Sequence, residues 1–191
     1  MFSIASSGKA LEQRGVTTVT ESKNDLQAIL KSQYHAAIGM LRQAVERCPD
    51  ELWLSGEHPN AFWHVAYHAL FVTYVYLQPD FDSFRPWQNH REGAQFLGPI
   101  PGNPQLRPKT DEPYSKAEIL EFWRLCDAAI EDSVDKLDLG APESGFPWYK
   151  MSKLEHQFVN IRHLQHHTAQ LADRLRRVAG VGVDWAGGKS T

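Results

Sequence analysis

Cysteine is scarce in this chain of 191 residues, which contains only Cys48 and Cys126. Two cysteines are too few for a framework of disulfides, and neither stands in a C-x-x-C motif or in another spacing typical of metal ligands. A small domain held together by disulfides and a cysteine-ligated zinc site are therefore excluded. A reducing, cytoplasmic environment is the expected location.

The chain also lacks the features of a nucleic-acid-binding or membrane protein. Its formal net charge is -3, and no stripe of basic residues runs along it. The arginines that cluster near the end, interpreted as the solvated end of a helix, are Arg162, Arg174, Arg176 and Arg177. The longest apolar stretch, residues 61–77, contains His64 and His68, so burial in a protein core is favoured over burial in lipid. The N-terminus lacks the apolar core of a secretion signal. We expect neither nucleic acid nor a membrane as a partner.

No segment alternates apolar and polar residues as a strand does, whereas four segments space their apolar residues three and four apart. The predicted helices cover about residues 21–47, 59–77, 116–137 and 152–180. Ser115 with Glu118, and Ser152 with Glu155, form the S-x-x-E capping boxes that begin the last two, and Gly180 ends the fourth. Four long helices without strands predict an all-α fold, a four-helix bundle.

A long proline-rich connection separates the second and third predicted helices. Residues 78–114 contain seven of the eleven prolines. So long a connection suits a crossover between helices that are not antiparallel neighbours, and its aromatic residues predict that it packs on the bundle. It is either a lid over a pocket or a packed connection without a catalytic part. The predicted division of the chain is a mobile arm at residues 1–20, the bundle at 21–180 and a tail at 181–191.

Histidines on two of the predicted helices could hold a metal ion. His163 and His167 are one turn apart on the fourth helix and face the interior of the bundle. His64 and His68 are likewise four apart on the almost wholly apolar second helix, where a buried imidazole needs partners for both nitrogens. Side chains from facing helices of a bundle can meet at one point, and a metal there would supply such a partner. The alternative is a core histidine that hydrogen-bonds a backbone carbonyl or a carboxylate.

Two motifs resemble those of the DinB and YfiT-like superfamily of metal-binding four-helix bundles. Residues 60–68, NAFWHVAYH, resemble the N-x-x-x-W-x-x-W-H stretch of the second helix, with Tyr67 as the aromatic residue before the histidine. Residues 163–170, HLQHHTAQ, resemble H-x-x-H-H-R-G-Q on the last major helix and depart from it at Thr168 and Ala169.

The resemblance covers about residues 21–180 and implies a DinB-like metal-binding bundle. The metal ligands that it implies are His68, His163 and His167, with His68 in preference to His64. Three imidazoles suit a divalent transition metal, with zinc or nickel first and iron or copper as alternatives. Because members of the family differ in task, the resemblance implies the fold and the metal but no single reaction.

Two functions are compatible with a three-histidine site. The first is a metal-dependent enzyme, a transferase or hydrolase that activates a thiol or water and acts on a small molecule. The second is a non-catalytic bundle that binds a metal or a small ligand and acts through a partner or as a homodimer. In favour of the second, the sequence contains no nucleophile elbow and no phosphate-binding glycine-rich loop. A homodimer is the expected assembly, and a histidine-rich core without a metal is the third alternative.

Other polar residues of the same helices are candidates for contacts with a substrate. His64 is a candidate proton relay beside His68. The residues that share a stripe with His163 and His167, and are therefore predicted to line a pocket or to orient the ligands, are His156, Asn160 and Gln170. His166 lies further round the helix and is predicted to be exposed.

Overall fold

Four long helices pack side by side in the computed structural model of the protein. The structure describes the backbone of residues 8–189 and the side chains of residues 24–189. In chain order the helices are α1 (Gly8–Arg47), α2 (Asp50–Trp53), α3 (Phe62–Tyr76), α4 (Lys116–Lys136) and α5 (Lys153–Ala179). Over residues 8–189 no strand forms beyond one isolated bridge between Ile100 and Asn103. The prediction of an all-α four-helix bundle is confirmed, with α2 as a single extra turn.

The ends of α4 and α5 follow from local capping. The Ser115 hydroxyl accepts a hydrogen bond from the Glu118 amide, and the Glu118 carboxylate accepts one from the Ser115 amide, so the predicted capping box is complete. The Ser152 hydroxyl caps α5 by accepting from the Glu155 amide, whereas no reciprocal bond from the Ser152 amide to the Glu155 carboxylate forms among the described residues, so the second predicted capping box is only half formed. Gly180 ends α5 in the left-handed conformation, with φ at 67°.

Two predicted helix starts were wrong. Helix α3 begins at Phe62, because Pro59 lies in a bend and Ala61 is the residue that takes the extended N-cap conformation. Helix α1 begins at Gly8, which makes residues 8–20 of the predicted arm helical. A helix extends at low cost once it is nucleated, so α1 continues beyond the apolar spacing that predicted it. Residues 1–7 of that arm lie outside the described residues, and its mobility stays a prediction.

Contacts between the helices, made by side chains with side chains or with backbone oxygens, give the directions of the helices. Between α1 and α4 the pairs are Gln27 with Val134 and Trp123 with Ile38, and between α1 and α5 they are Tyr34 with Gln157 and Gln165 with Met40. Between α5 and α3 the pairs are Gln157 with Tyr76, Asn160 with Thr73 and His163 with His68, followed by Arg174 with Asn60 just before α3. Between α3 and α4 the pairs are Tyr67 with Phe122 and Leu70 with Cys126. Hence α1 is antiparallel to α4 and parallel to α5, whereas α3 is antiparallel to α5 and parallel to α4.

The parallel arrangement of α3 and α4 explains the long connection. A chain that leaves the end of α3 must return along the whole bundle, about 22 Å for a helix of this length, before α4 begins. On the way, Trp87, Ala94 and Tyr114 are buried, and Trp87 stacks on Phe122 of α4 with ring centroids 4.8 Å apart. The prediction that the crossover packs on the bundle is confirmed.

Helix α3 is buried over most of its surface. It contacts both α4 and α5, and the crossover reaches it through His64 and His68. Burial on all these sides explains why its sequence is apolar nearly all round. Despite this composition, none of the helices in the described part of the chain combines the length and the apolar character needed to cross a bilayer.

Candidate metal centre

Three histidine side chains meet between α3 and α5. The antiparallel packing of these helices places His68 opposite His163 and His167, which project from successive turns of α5. The Nε2 atom of His163 lies 3.0 Å from Nε2 of His68 and 3.2 Å from Nε2 of His167. Candidate ligand atoms of the three residues all lie within 4.8 Å of one another. The structure thus brings together the three residues that were predicted as metal ligands.

Hydrogen bonds outside the cluster determine which nitrogen carries the proton in two of these rings. Nδ1 of His68 lies 2.6 Å from the backbone oxygen of Gln95, and because a carbonyl only accepts, Nδ1 donates and Nε2 keeps its lone pair. Nδ1 of His167 donates in the same way to Oε1 of Gln170 at 2.9 Å. Both Nε2 lone pairs therefore face the Nε2 atom of His163.

His163 cannot satisfy both neighbours alone. A neutral imidazole carries one proton, so an Nε2–H group on His163 could donate to His68 or to His167 but not to both. In addition, Nδ1 of His163 is buried and has no hydrogen-bond partner among the described residues. A cation held by the three Nε2 atoms would replace the repulsion between lone pairs with three favourable bonds.

The surroundings keep the three imidazoles neutral, which is the form that binds a metal. Burial is the main cause that lowers the pKa of His163 to about 3, and the neighbouring His68 and His167 lower it further. Burial also lowers the pKa of His68 to about 4, although the hydrogen bond to Gln95 acts in the opposite direction. The pKa of His167 is lowered as well, again chiefly by burial.

The geometry and the donor atoms both fit a transition metal. With metal–nitrogen distances of about 2.0–2.1 Å, tetrahedral coordination places two ligand nitrogens about 3.3 Å apart. The observed separations of 3.0 and 3.2 Å are close to that value. The cluster contains no carboxylate, which suits zinc, nickel, copper or iron and does not suit magnesium or calcium.

His64 lies outside the cluster and binds the crossover. Its Nε2 atom donates to the backbone oxygen of Ala94 at 2.9 Å, and its ring stacks on Trp63. Its Nδ1 atom is buried without a hydrogen-bond partner among the described residues. His64 is therefore a core histidine that hydrogen-bonds a backbone carbonyl, as the alternative interpretation predicted. Its hydrogen bond goes to the crossover and not to His68.

His156 and Asn160, which were predicted to line a pocket, are core residues. His156 is fully buried, with its ring centroid 4.5 Å from that of Tyr76 and within 5.0 Å of those of Phe146 and Tyr149. Neither of its ring nitrogens has a hydrogen-bond partner among the described residues. Asn160 is equally buried and donates to side-chain and backbone oxygens of α1 and α3.

Replacing His156 by phenylalanine is expected to make stability less dependent on pH. Burial lowers the pKa of His156 from 6.5 to about 4, so between these values the unfolded chain binds a proton that the folded protein excludes. The stability contributed by the neutral ring is complete above the unfolded pKa and is lost as the pH falls toward 4. At about pH 5 the free energy of unfolding of the wild type should be lower by roughly 2 kcal/mol on this account. Urea unfolding of metal-free wild type and His156→Phe at neutral pH and at about pH 5 measures the difference. An equal loss in both proteins would contradict the prediction.

Gln170 connects two histidines at the edge of the cluster. Its side-chain oxygen accepts from His167, and its amide nitrogen lies 3.1 Å from Nε2 of His166, to which it donates. Gln170 and His166 are both exposed, as predicted for His166. Gln170 thus orients a candidate ligand, one of the two roles predicted for it.

The change Gln170→Ala is expected to weaken metal binding about 10–100-fold without changing its stoichiometry. The substitution removes the acceptor that keeps the proton of His167 on Nδ1. Gln170→Glu retains an acceptor at this position and should keep most of the affinity, so it serves as the matched control. Competition against a chelating dye measures both affinities. Wild-type affinity in Gln170→Ala would show that Gln170 does not orient His167.

Sequence reasoning missed the backbone oxygens of Ala94 and Gln95, which bind His64 and His68. A backbone oxygen has the same chemistry in every residue, so no side-chain pattern predicts which one will be used. Arg174 was interpreted as part of a solvated helix end, and this was wrong. It is partly buried because its guanidinium donates to the backbone oxygen of Asn60 at 2.8 Å.

A comparison with family models matches residues 33–171 to the DinB superfamily. No match was found among the curated proteins or among the solved structures. The matched range covers most of the chain and includes α3, α4 and the part of α5 that contains His163 and His167. The fold and the position of the histidine cluster between two bundle helices agree with this match. The chain therefore belongs to the DinB superfamily.

Proposed function

We propose that this protein binds one divalent transition metal ion through His68, His163 and His167 and is a metal-dependent enzyme of the transferase or hydrolase type that activates a thiol or water. The observation that carries the proposal is the convergence of the three Nε2 atoms, with two protons directed away from the cluster by Gln95 and Gln170. Zinc or nickel is the proposed metal, with iron or copper as alternatives.

The ligand set supports an enzymatic role through its charge. A divalent ion held by neutral ligands keeps its full positive charge and lowers the pKa of a thiol or water bound beside it. The three imidazoles provide such a neutral set, because burial disfavours their protonated forms. Three protein ligands also leave a coordination position for a small molecule, as in catalytic sites and unlike closed structural sites.

The chain's own residues hold the site in place before a substrate arrives. Gln95, in the crossover, orients His68, and Gln170, one turn along α5, orients His167. Both acceptors lie outside the cluster, so they position the rings without occupying the space in front of the Nε2 atoms. Such support is what keeps a catalytic site in its productive geometry.

The test is metal analysis of protein purified without a histidine tag, followed by cobalt substitution and titration with a small thiol. We expect about one metal ion per chain and a visible cobalt spectrum that changes when the thiol is added. Stoichiometric metal with a spectrum unaffected by thiols and by pH would favour the non-catalytic bundle. Protein that takes up no metal would overturn the proposal.

The expectations that the protein forms a homodimer and is cytoplasmic stay predictions, as do the boundaries of the arm and the tail. Residues 181–189 of the predicted tail lie along α1, where Gln43 and Asp184 exchange two hydrogen bonds. Size-exclusion chromatography with light scattering would measure the oligomeric state directly.

A further inference from the structure

Arg174 lies on the same contact surface between α3 and α5 as the histidine cluster. It follows His167 by seven residues, which is about 10 Å along the helix. Its hydrogen bond to Asn60 shows that its side chain faces α3, and side chains of a helix lean toward the N-terminus, here toward His167.

The positive charge of Arg174 has no acidic partner among the described residues. Its only hydrogen bond there goes to the Asn60 carbonyl, whereas Arg177, one turn further on, forms an ion pair with Asp173. Arg174 is partly buried, which removes some water from its charge and lowers its pKa, and no acidic group among the described residues replaces that water. Asn60 precedes the N-cap of α3, and the partial positive charge of that helix end adds to the uncompensated positive charge of Arg174.

We propose that Arg174 binds the anionic group, a carboxylate or a phosphate, of the small molecule whose reactive end reaches the three histidines. A guanidinium has five N–H donors, and only one of those of Arg174 is used within the described residues. The remaining donors match the oxygens of a carboxylate or phosphate, to which arginine forms two parallel N–H···O hydrogen bonds. An anion would also supply the missing counter-charge.

This inference rests on the proposed function, and it narrows the class of substrate. The hydrogen bond to Asn60 holds the guanidinium at the start of α3, eight residues before His68, so a ligand that contacts both Arg174 and the cluster must extend over about 10 Å. The ligand is therefore an elongated molecule with a negative group at one end and a thiol, or a bond to be broken, at the other. A short acid such as acetate would fill only one of the two positions.

The first experiment measures binding of succinate and of inorganic phosphate to metal-free protein by calorimetry. We expect saturable binding to the wild type and affinity at least tenfold lower in Arg174→Gln. Arg176→Gln is the matched control, because it removes the same charge from an exposed position of the same helix and should keep wild-type affinity. Tighter binding of succinate identifies a carboxylate site, and tighter binding of phosphate identifies a phosphate site. Absence of saturable binding, or equal weakening in both variants, would overturn the inference.

A second variant and a second measurement separate this inference from the proposed function. Arg174→Lys keeps the charge and loses the paired donors, so it should bind the anion with intermediate affinity if Arg174→Gln does not fold. Zinc stoichiometry is measured in the same proteins and is expected to be unchanged, because Arg174 is not a candidate ligand. Failure of the wild type to bind zinc would overturn the proposed function, whereas zinc binding without anion binding would overturn only the anion site.

Discussion

Substitution of His163 by alanine is expected to lower the affinity for zinc by a factor of about a hundred to a thousand and to abolish stoichiometric binding at micromolar metal. His163 is the central residue of the cluster, because the Nε2 atoms of both His68 and His167 are nearest to its own. Its removal leaves two ligands on different helices. Because structural zinc sites bind with about 10–16 kcal/mol over four ligands, one ligand accounts for roughly 2.5–4 kcal/mol.

Thermal unfolding with and without zinc provides a readout that does not depend on activity. A metal that binds only the folded protein at a hundred times its Kd stabilises it by about 2.7 kcal/mol, so zinc should raise the melting temperature of the wild type and leave that of His163→Ala almost unchanged. His58→Ala is the control, since His58 lies outside the cluster. Equal zinc stoichiometry in wild type and His163→Ala would refute the assignment of the ligands.

The change Gly145→Ala is expected to destabilise the fold by about 2–4 kcal/mol and to lower the melting temperature by roughly 10 °C. Gly145 has φ at +83°, where an L-residue is strained, and a Cβ atom there would lie 2.3 Å from the backbone oxygen of Pro79. That oxygen also accepts from the buried Lys153 side chain, and the Gly145 oxygen accepts from the Phe81 amide. The start of the crossover is therefore held between Gly145 and Lys153 and cannot move aside cheaply.

Gly140→Ala is the matched control for this prediction. Gly140 lies in the same connection between α4 and α5, has no positive φ, and would place a Cβ atom at an ordinary distance of 3.5 Å from the Asp138 side chain. Its substitution should change stability by less than about 1 kcal/mol. Similar melting temperatures for Gly145→Ala and Gly140→Ala would show that the close contact with Pro79 relaxes without cost.

The features that the sequence predicts well are those encoded by neighbouring residues. The caps at Ser115 and Ser152 are local hydrogen bonds, and the shared face of His163 and His167 follows from helix geometry alone. The position of His68 opposite them depends on how α3 packs on α5. Helical spacing alone left His64 and His68 as alternative metal ligands, and only the resemblance to the DinB family favoured His68.

The features that could not be predicted depend on distant contacts. His156 and Asn160 have the helical spacing of pocket residues, yet the aromatic rings of the α4–α5 connection and of α3 enclose His156. Arg174 is charged and near a helix end, which is typical of a solvated residue, and only its contact with Asn60 shows otherwise. Helical spacing predicts the face on which a side chain lies but not what covers that face.

The hydrogen bond between His68 and Gln95 has a consequence for how the protein folds and unfolds. The cluster joins positions 95 residues apart, and the hydrogen bond that orients His68 needs the crossover in its docked position, so we expect the site to be completed late in folding. Before the crossover docks, His163 and His167 are the two candidate ligands that one helix already holds close together, so a metal would bind this pair first. Interactions absent from the folding transition state slow unfolding and leave the folding rate nearly unchanged. A bound metal would therefore lower the rate of unfolding, and so extend the lifetime of the native bundle, more than it would raise the rate of folding.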